Sequence, residues 1–257
     1  MKEILINLPN PIAVLLDPIS LVVIAMYAAL IIWEALFPAK KLPFVKYWKL
    51  KGLLAFTVFF FLSTYLPIIW DYYLVNYQIF NLTGLGTYLG AFVALLIYEF
   101  GFYVWHRSMH KSDKLWRVFH QMHHSAERLD TYGAFYLSIT DMIGFTFLGS
   151  ICLVVIAGFT PEATTIFLLV TTFFGIFQHC NIKTPHWLGY IIQRPESHSV
   201  HHGKGIHGYN YSDMPIFDII FGTFKNPKKF VEETGFYDGA SHKIKDMLLF
   251  RDISAKK

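Results

Sequence analysis

The chain has 257 residues, of which 54% are hydrophobic and 18% aromatic but only 16% charged. That is too few charges for a soluble domain, which carries closer to ~25%, and the net charge of +4 is too mild for a nucleic-acid surface. The two cysteines, Cys152 and Cys180, form no CxxC pair and imply no disulfide framework.

Long apolar runs make this an integral membrane protein. A helix needs about 20 apolar residues to cross the hydrocarbon core. The first ten residues are mixed and lack a signal-peptide pattern, so insertion rests on the first span. That span is 19–37, interrupted only by Glu34 near its end. The second is 53–70, running on toward Val75, with Pro67 expected to kink or end it. The third is 84–105. The fourth and fifth, 142–159 and 163–177, are joined by Gly158-Phe159-Thr160-Pro161, a tight-turn signal. The last run is short, so this pair forms a hairpin that spans fully or in part. The expected fold is all-α, a membrane bundle of about four or five embedded helices with a histidine-rich cap. Residues 185–192 hold Trp187 and Tyr190 and read as interfacial. Residues 225–257 turn polar and read as a cytoplasmic tail, either a cap or a partly ordered end. No linker to a second domain is visible.

Charge placement gives the orientation. Lys40, Lys41, Lys46, Lys49 and Lys51 lie between or beside the first two spans, and 76–83 carries no charge. Arg107, Lys111, Lys114, Arg117 and Arg128 follow the third span; only Glu162 lies in the next turn; Lys183, Arg194 and Lys204 follow the fifth. The positive-inside rule puts the basic loops in the cytoplasm. A bacterial inner membrane and an endoplasmic reticulum membrane look alike on this evidence, and Lys256 and Lys257 leave a retention signal open.

The same loops carry the histidines. His106 and His110 form HxxxH; His120, His123 and His124 form HxxHH; His198, His201 and His202 form a second HxxHH; His179 stands between the last two groups. Residues three and four apart share a helix face, so each cluster aims imidazoles at one point. A single HxxxH is more often a core feature than a ligand set, but three clusters are hard to reach by chance. Nine imidazoles exceed the positions one ion offers, which argues for two metals. Ser112-Asp113 starts the helix carrying the second cluster, and Pro195-Glu196 suits the first turn of the helix carrying the third. Imidazole cages suit iron, zinc or copper better than magnesium or calcium. No Glu-x-x-His pair accompanies the clusters.

Together with Trp105-His106-Arg107, His123-His124-Ser125, Arg194-Pro195-Glu196-Ser197-His198 and Asp218-Ile219-Ile220-Phe221-Gly222-Thr223-Phe224, this pattern resembles the fatty acid hydroxylase/sterol desaturase superfamily over about 99–224. The resemblance implies a membrane-bound non-haem di-iron enzyme, with two iron ions per chain and O2 as co-substrate. Such an enzyme oxidises an unactivated C–H bond of a lipid (sterol, fatty acyl or related) to an alcohol or an alkene. It implies that His106, His110, His120, His123, His124, His198, His201 and His202 are ligands, with His179 matching an isolated histidine of some members. No cytochrome b5-like domain is fused, so electrons would come from a separate carrier of ferredoxin or cytochrome b5 type with its reductase. Many members have His-Pro after the second cluster. Here Leu137-Ser138-Ile139-Thr140-Asp141 stands there, which leaves the substrate, and hydroxylation against desaturation, open.

Several other residues are candidates around that set. Glu99, seven before His106 and on its face, is an intramembrane acid that could orient a histidine ring; an interface carboxylate is the plainer reading. His207 and Asn210 follow the last cluster and either could complete a coordination sphere, although a solvated loop is the plainer reading of His207. Cys180 adjoins His179, but the histidine set is complete without it. His186 and His242 read as surface residues, and Tyr98, Tyr103 and Trp105 as bilayer or core aromatics. Two other function classes fit a metal cage. A zinc-dependent membrane hydrolase would want HExxH or an open three-ligand site, and neither is present. A non-enzymatic metal transporter or sensor would line a path across the bilayer, whereas these clusters lie on one side.

Overall fold

The computed structural model describes residues 8–254; most of the first ten residues, and Lys256 and Lys257, lie outside the described residues. Helix α1 (Pro11–Leu16) leads into α2 (Pro18–Leu36). Each starts with proline at its first position, where the missing N–H costs nothing. Asn10 and Asp17 cap them by accepting from the Ala13 and Ile19 N–H groups at 2.8 and 2.9 Å. Helix α3 (Trp48–Leu74) starts earlier than its apolar run and passes through Pro67 without ending there. In lipid a broken backbone would leave polar groups without water, so the helix persists where an aqueous rule predicts a stop.

After the two-residue strand β1 (Phe80–Asn81) comes α4 (Gly86–Lys111), which extends beyond the apolar run to carry the first histidine cluster. Helix α5 (Asp113–Leu115), capped by the Ser112 hydroxyl, runs through a π-helical turn (Trp116–His120) into α6 (Gln121–His124). Helix α7 (Ile139–Ser150) continues as a π-helical segment (Ile151–Ile156) to β2 (Ala157–Gly158), and α8 (Pro161–Phe177) returns. Strands β1 and β2 pair in parallel at the end of the bundle away from the histidines. Helices α9 (Pro195–His201), α10 (Ile216–Ile220) and α11 (Ile244–Leu248) complete the chain.

Among the described residues, four helical stretches are long and apolar enough to cross a membrane: Pro18–Leu36, Trp48–Tyr77, Thr83–Lys111 and Ile139–Ile156. Helix α8 has 17 residues, a rise of about 25 Å against the ~30 Å of the hydrocarbon core. Helix α4 packs along α8, and α3 along α7.

The histidine end is closed by a few specific contacts. Glu34 of α2, which interrupts the first span, accepts the Thr131 N–H (2.8 Å), the Thr131 hydroxyl (2.6 Å) and the Asn181 N–H (3.0 Å). It thus ties the first span to both loops that lead into the site. Trp48 donates its indole N–H to Asp130 at 2.8 Å. Gly52 passes so close to the 131–133 turn that a Cβ would lie 2.3 Å from the Tyr132 carbonyl oxygen. Of the two alternatives for the polar C-terminal segment, the described residues 225–254 take the form of a cap. Phe236, Ala240, Met247 and Ile253 are buried with Val45, Trp48, Met122 and Tyr136.

Candidate metal centre

All nine clustered histidines converge, and they divide into two sets that cut across the sequence motifs. His106, His110, His120, His124 and His201 bring one ring nitrogen each within 4.8 Å of one another; His123, His179, His198 and His202 do the same. His123 and His124 are neighbours on α6, so their side chains diverge by about 100°, and each faces a different set. Helix α9 likewise gives His201 to the first set and His198 and His202 to the second. The sets share a wall where the His124 and His202 rings stack at 4.2 Å and 13°.

Five of the nine Nδ1 atoms are anchored on oxygen, while those of His123 and His198 are buried without a hydrogen-bond partner. His106 donates to the Tyr211 carbonyl (2.6 Å), His110 to that of His207 (2.9 Å), His201 to that of Tyr209 (2.8 Å) and His179 to that of Gly175 (2.7 Å). His120 donates to the carboxylate of Asp141 at 2.8 Å, with both groups buried. An Nδ1–H fixed this way leaves Nε2 as a bare lone pair. The Nε2 atoms face one another: His106 to His120 at 2.8 Å, where both Nδ1 atoms donate elsewhere and both Nε2 atoms are therefore lone pairs, His179 to both His123 and His198 at 3.0 Å, and His198 to His202 at 3.1 Å. The Nε2 atoms of His110, His124 and His201 are buried without any hydrogen-bond partner. Facing lone pairs repel unless a cation lies between them. Ligands about 2.1 Å from a metal and at right angles stand about 3 Å apart, the spacing found here. The donor set therefore fits two imidazole-bound metal ions.

Electrostatics keep the rings in the ligand form. Burial, reinforced by neighbouring imidazoles, holds His120, His123, His124, His198, His201 and His202 well below the ordinary histidine range. Burial pushes His179 down to about 4. Metals bind neutral imidazole, so no proton has to be displaced near neutral pH.

Local structure explains why α9 sits where it does. The Arg194 guanidinium is buried, donating to Asn226 Oδ1 at 2.9 Å and the Thr184 carbonyl at 3.1 Å, to the Pro227 carbonyl, and pairing with Glu196 at 3.2 Å. Glu196 in turn accepts from the Thr184 N–H and hydroxyl at 2.9 and 2.7 Å. Asn210, read as a possible ligand, is fully used elsewhere. Its amide donates to the Ser197 and Lys225 carbonyls and accepts the Lys225 N–H.

His207 is not a solvated loop residue. Its carbonyl anchors His110, its Nδ1 faces that of His124 at 3.2 Å, and its ring packs on Trp116 and Phe236. Glu99 is buried, but its recorded partner is the Met214 N–H at 3.0 Å, not a histidine ring. Its role is to hold the 213–214 turn. There Asp213, pushed up to about 7 by burial, accepts from Gln178. Cys180 belongs to neither set; its sulfur lies 3.2 Å from the Thr131 hydroxyl oxygen within the core. His186 bonds the Asn226 carbonyl and His242 lies against Lys51, both away from the sets. Tyr103 links Arg107 and Thr223 as a core aromatic.

Sequence reasoning missed Asp141 and Asp218. Asp141 occupies the stretch noted only for lacking His-Pro; the signal was an acid in the first turn of a span, behind the Ser138 cap. Asp218 accepts from the Tyr211 N–H, the Ser212 N–H and hydroxyl, and the Thr223 hydroxyl. This fixes the turn whose carbonyl anchors His106.

A family model described as fatty acid hydroxylase matches residues 91–223. The chain is 35% identical over 144 residues to an ornithine lipid hydroxylase of Rhizobium tropici, covering 53% of this chain and 42% of that protein. It is 29% identical over 171 residues to an alkylglycerol monooxygenase of Homo sapiens, covering 64% and 36%. It is 27% identical over 142 residues to a sphingolipid C4-hydroxylase of Schizosaccharomyces pombe, covering 53% and 48%. The chain thus spans less than half the length of each of these relatives. No solved structure matches it.

Proposed function

This chain belongs to the fatty acid hydroxylase family, and we propose that it is an O2-dependent oxidoreductase that hydroxylates or desaturates a membrane lipid at a di-iron centre. The five-histidine set holds one ion and the four-histidine set the other. The observation that carries this reading is the convergence of nine buried or half-buried histidines into sets of five and four, with facing Nε2 atoms 2.8 to 3.1 Å apart. The relatives' names supply the lipid and the oxygenation.

Bound iron supplies the oxygen activation that allows an unactivated C–H bond to be attacked. The chain's own residues do the rest. The carbonyls of Tyr211, His207, Tyr209 and Gly175, and the Asp141 carboxylate, fix the rings so that Nε2 points inward. Phe102 and Phe145, stacked at 4.8 Å and lying against His106, exclude water on the bilayer side. Trp116, against His110 and His124, does so on the cap side. A water-poor site strengthens electrostatic stabilisation and keeps reactive oxygen species from side reactions. The reaction would draw its electrons from a carrier of ferredoxin or cytochrome b5 type with its reductase. The basic loops and the clusters share one end of the bundle, which supports a cytoplasmic face for the site.

The test is metal content by elemental analysis together with Mössbauer spectroscopy after iron-57 loading. We expect close to two coupled, redox-active irons per chain, and a lipid gaining oxygen or losing two hydrogens when reductant and O2 are supplied. Redox-silent zinc that iron cannot replace would overturn the reading.

A further inference from the structure

Helix α10 is polarised the wrong way round for water. Asp218 is fully buried, with hydrogen bonds to Tyr211, Ser212 and Thr223. Ile216, Ile219, Ile220 and Phe221 are 41%, 49%, 63% and 45% exposed. Four large apolar side chains within six residues, around a buried acid, are not the scattered exposure of an ordinary surface.

The neighbouring span indicates what covers them. Phe217 lies 5.4 Å from the ring of Phe100, and Phe221 lies 5.0 Å from that of Tyr103. Both partners belong to the membrane-crossing stretch Thr83–Lys111, which has 29 residues and is about 43 Å long. A hydrocarbon core of ~30 Å leaves at most about 14 Å of that helix outside it, even if all the excess lies at the histidine end. Phe100 stands about 16 Å from Lys111 along the axis. At Phe100, α10 therefore touches the span just inside the edge of the hydrocarbon core, with Tyr103, about 12 Å from Lys111, near that edge. Next to it, Tyr190 packs against Phe224 at 5.7 Å, Trp187 and Tyr190 are exposed, and Lys225, Lys228 and Lys229 are exposed just beyond. Aromatic rings and lysines are what the headgroup level selects.

We propose that α10 is an interfacial helix seated in the leaflet at the histidine end, with Ile216, Ile219, Ile220 and Phe221 bedded among lipid tails. Its inner face carries the consequence. Asp218 fixes the 211–212 turn, and the Tyr211 carbonyl of that turn anchors His106. The bilayer is thereby joined to a metal-facing imidazole through a few residues. This surface is independent of which metal the histidines hold, so its test stands apart from that of the oxygenase reading.

The test places a nitroxide on Ile220→Cys in nanodiscs of phosphatidylcholine and phosphatidylglycerol; the native cysteines are buried. Collision rates with O2 and with a water-soluble nickel chelate are compared with those at Phe92→Cys in mid-span and Lys114→Cys on the cap. The expected ratio of O2 to nickel collisions at 220 is several-fold above that at 114 and below that at 92. A ratio equal to that at 114 overturns the proposal. So does dipolar broadening that disappears on dilution with unlabelled chains, which would mean that a second copy covers the face. Ile219→Cys repeats the measurement, so that one disturbed site does not decide it.

Discussion

Replacing Asp141 should weaken one metal and spare the other. Its carboxylate accepts the His120 Nδ1–H at 2.8 Å in a fully buried setting, and His120 belongs to the five-histidine set alone. Removing a partner that orients a metal-ligating histidine costs about 10- to 100-fold in metal affinity, or about 1.4 to 2.8 kcal/mol. Asp141→Asn keeps an acceptor but loses the charge, so it should fall at the lower end. Asp141→Ala loses both and should fall at the upper end. The assay is chelator competition on the iron-loaded protein, with retained metal counted by elemental analysis. Wild type should release both ions over one concentration range. The variants should release one ion early and the second near the wild-type range. If both variants keep two ions at wild-type affinity, the ring is not oriented by Asp141. If both ions leave together, from protein whose metal-free melting is unchanged, the division into two sets is wrong.

Two further perturbations follow from the packing and the buried imidazoles. The metal-free protein should lose stability as pH falls from about 6.5 to about 4, because burial pushes His179 and His207 down to about 4 while unfolded histidine titrates near 6.5. In that window the unfolded chain binds the extra protons, so each group costs about 1.4 kcal/mol per pH unit. Urea midpoints that stay flat from pH 7 to 4.5 would contradict this. Gly52→Ala should lower the melting temperature. Helix propensity alone would stabilise by about 1 kcal/mol, but the new Cβ would sit 2.3 Å from the Tyr132 carbonyl oxygen, and such overpacking costs about 1–3 kcal/mol. Thermal unfolding followed by intrinsic fluorescence decides the sign, and an unchanged or raised midpoint would deny the contact.

The spans were legible because hydrocarbon thickness is a one-dimensional constraint that a run of apolar residues either meets or does not. Of the two outcomes expected at Pro67, the helix does not end there, because in lipid a broken backbone would leave polar groups without water. The histidines were legible as a group, since spacing of three and four puts rings on one face. Their division was not, because the faces of His123 and His124 depend on where α9 and the His179 turn arrive. The anchors of the rings are mostly backbone carbonyls, at Gly175, His207, Tyr209 and Tyr211, and a carbonyl has no residue type. Asp141 was hidden by attention to the His-Pro absent around it. The choice between a cap and a partly ordered end stayed open because Phe236, Met247 and Ile253 follow no period; only tertiary contact gathers them.

Helix α9 serves both histidine sets, and this sets the order of events in biogenesis. Without the residues from 195 onward, the first set has four of its five imidazoles, but the second has two of four. Chains fold from the N-terminus during synthesis, so the spans are already in the membrane before either site can close. One late docking event then completes both. Loading of the two proposed ions would in this way be deferred to a finished bundle, and a partly made chain would lack the histidines to assemble the metal pair.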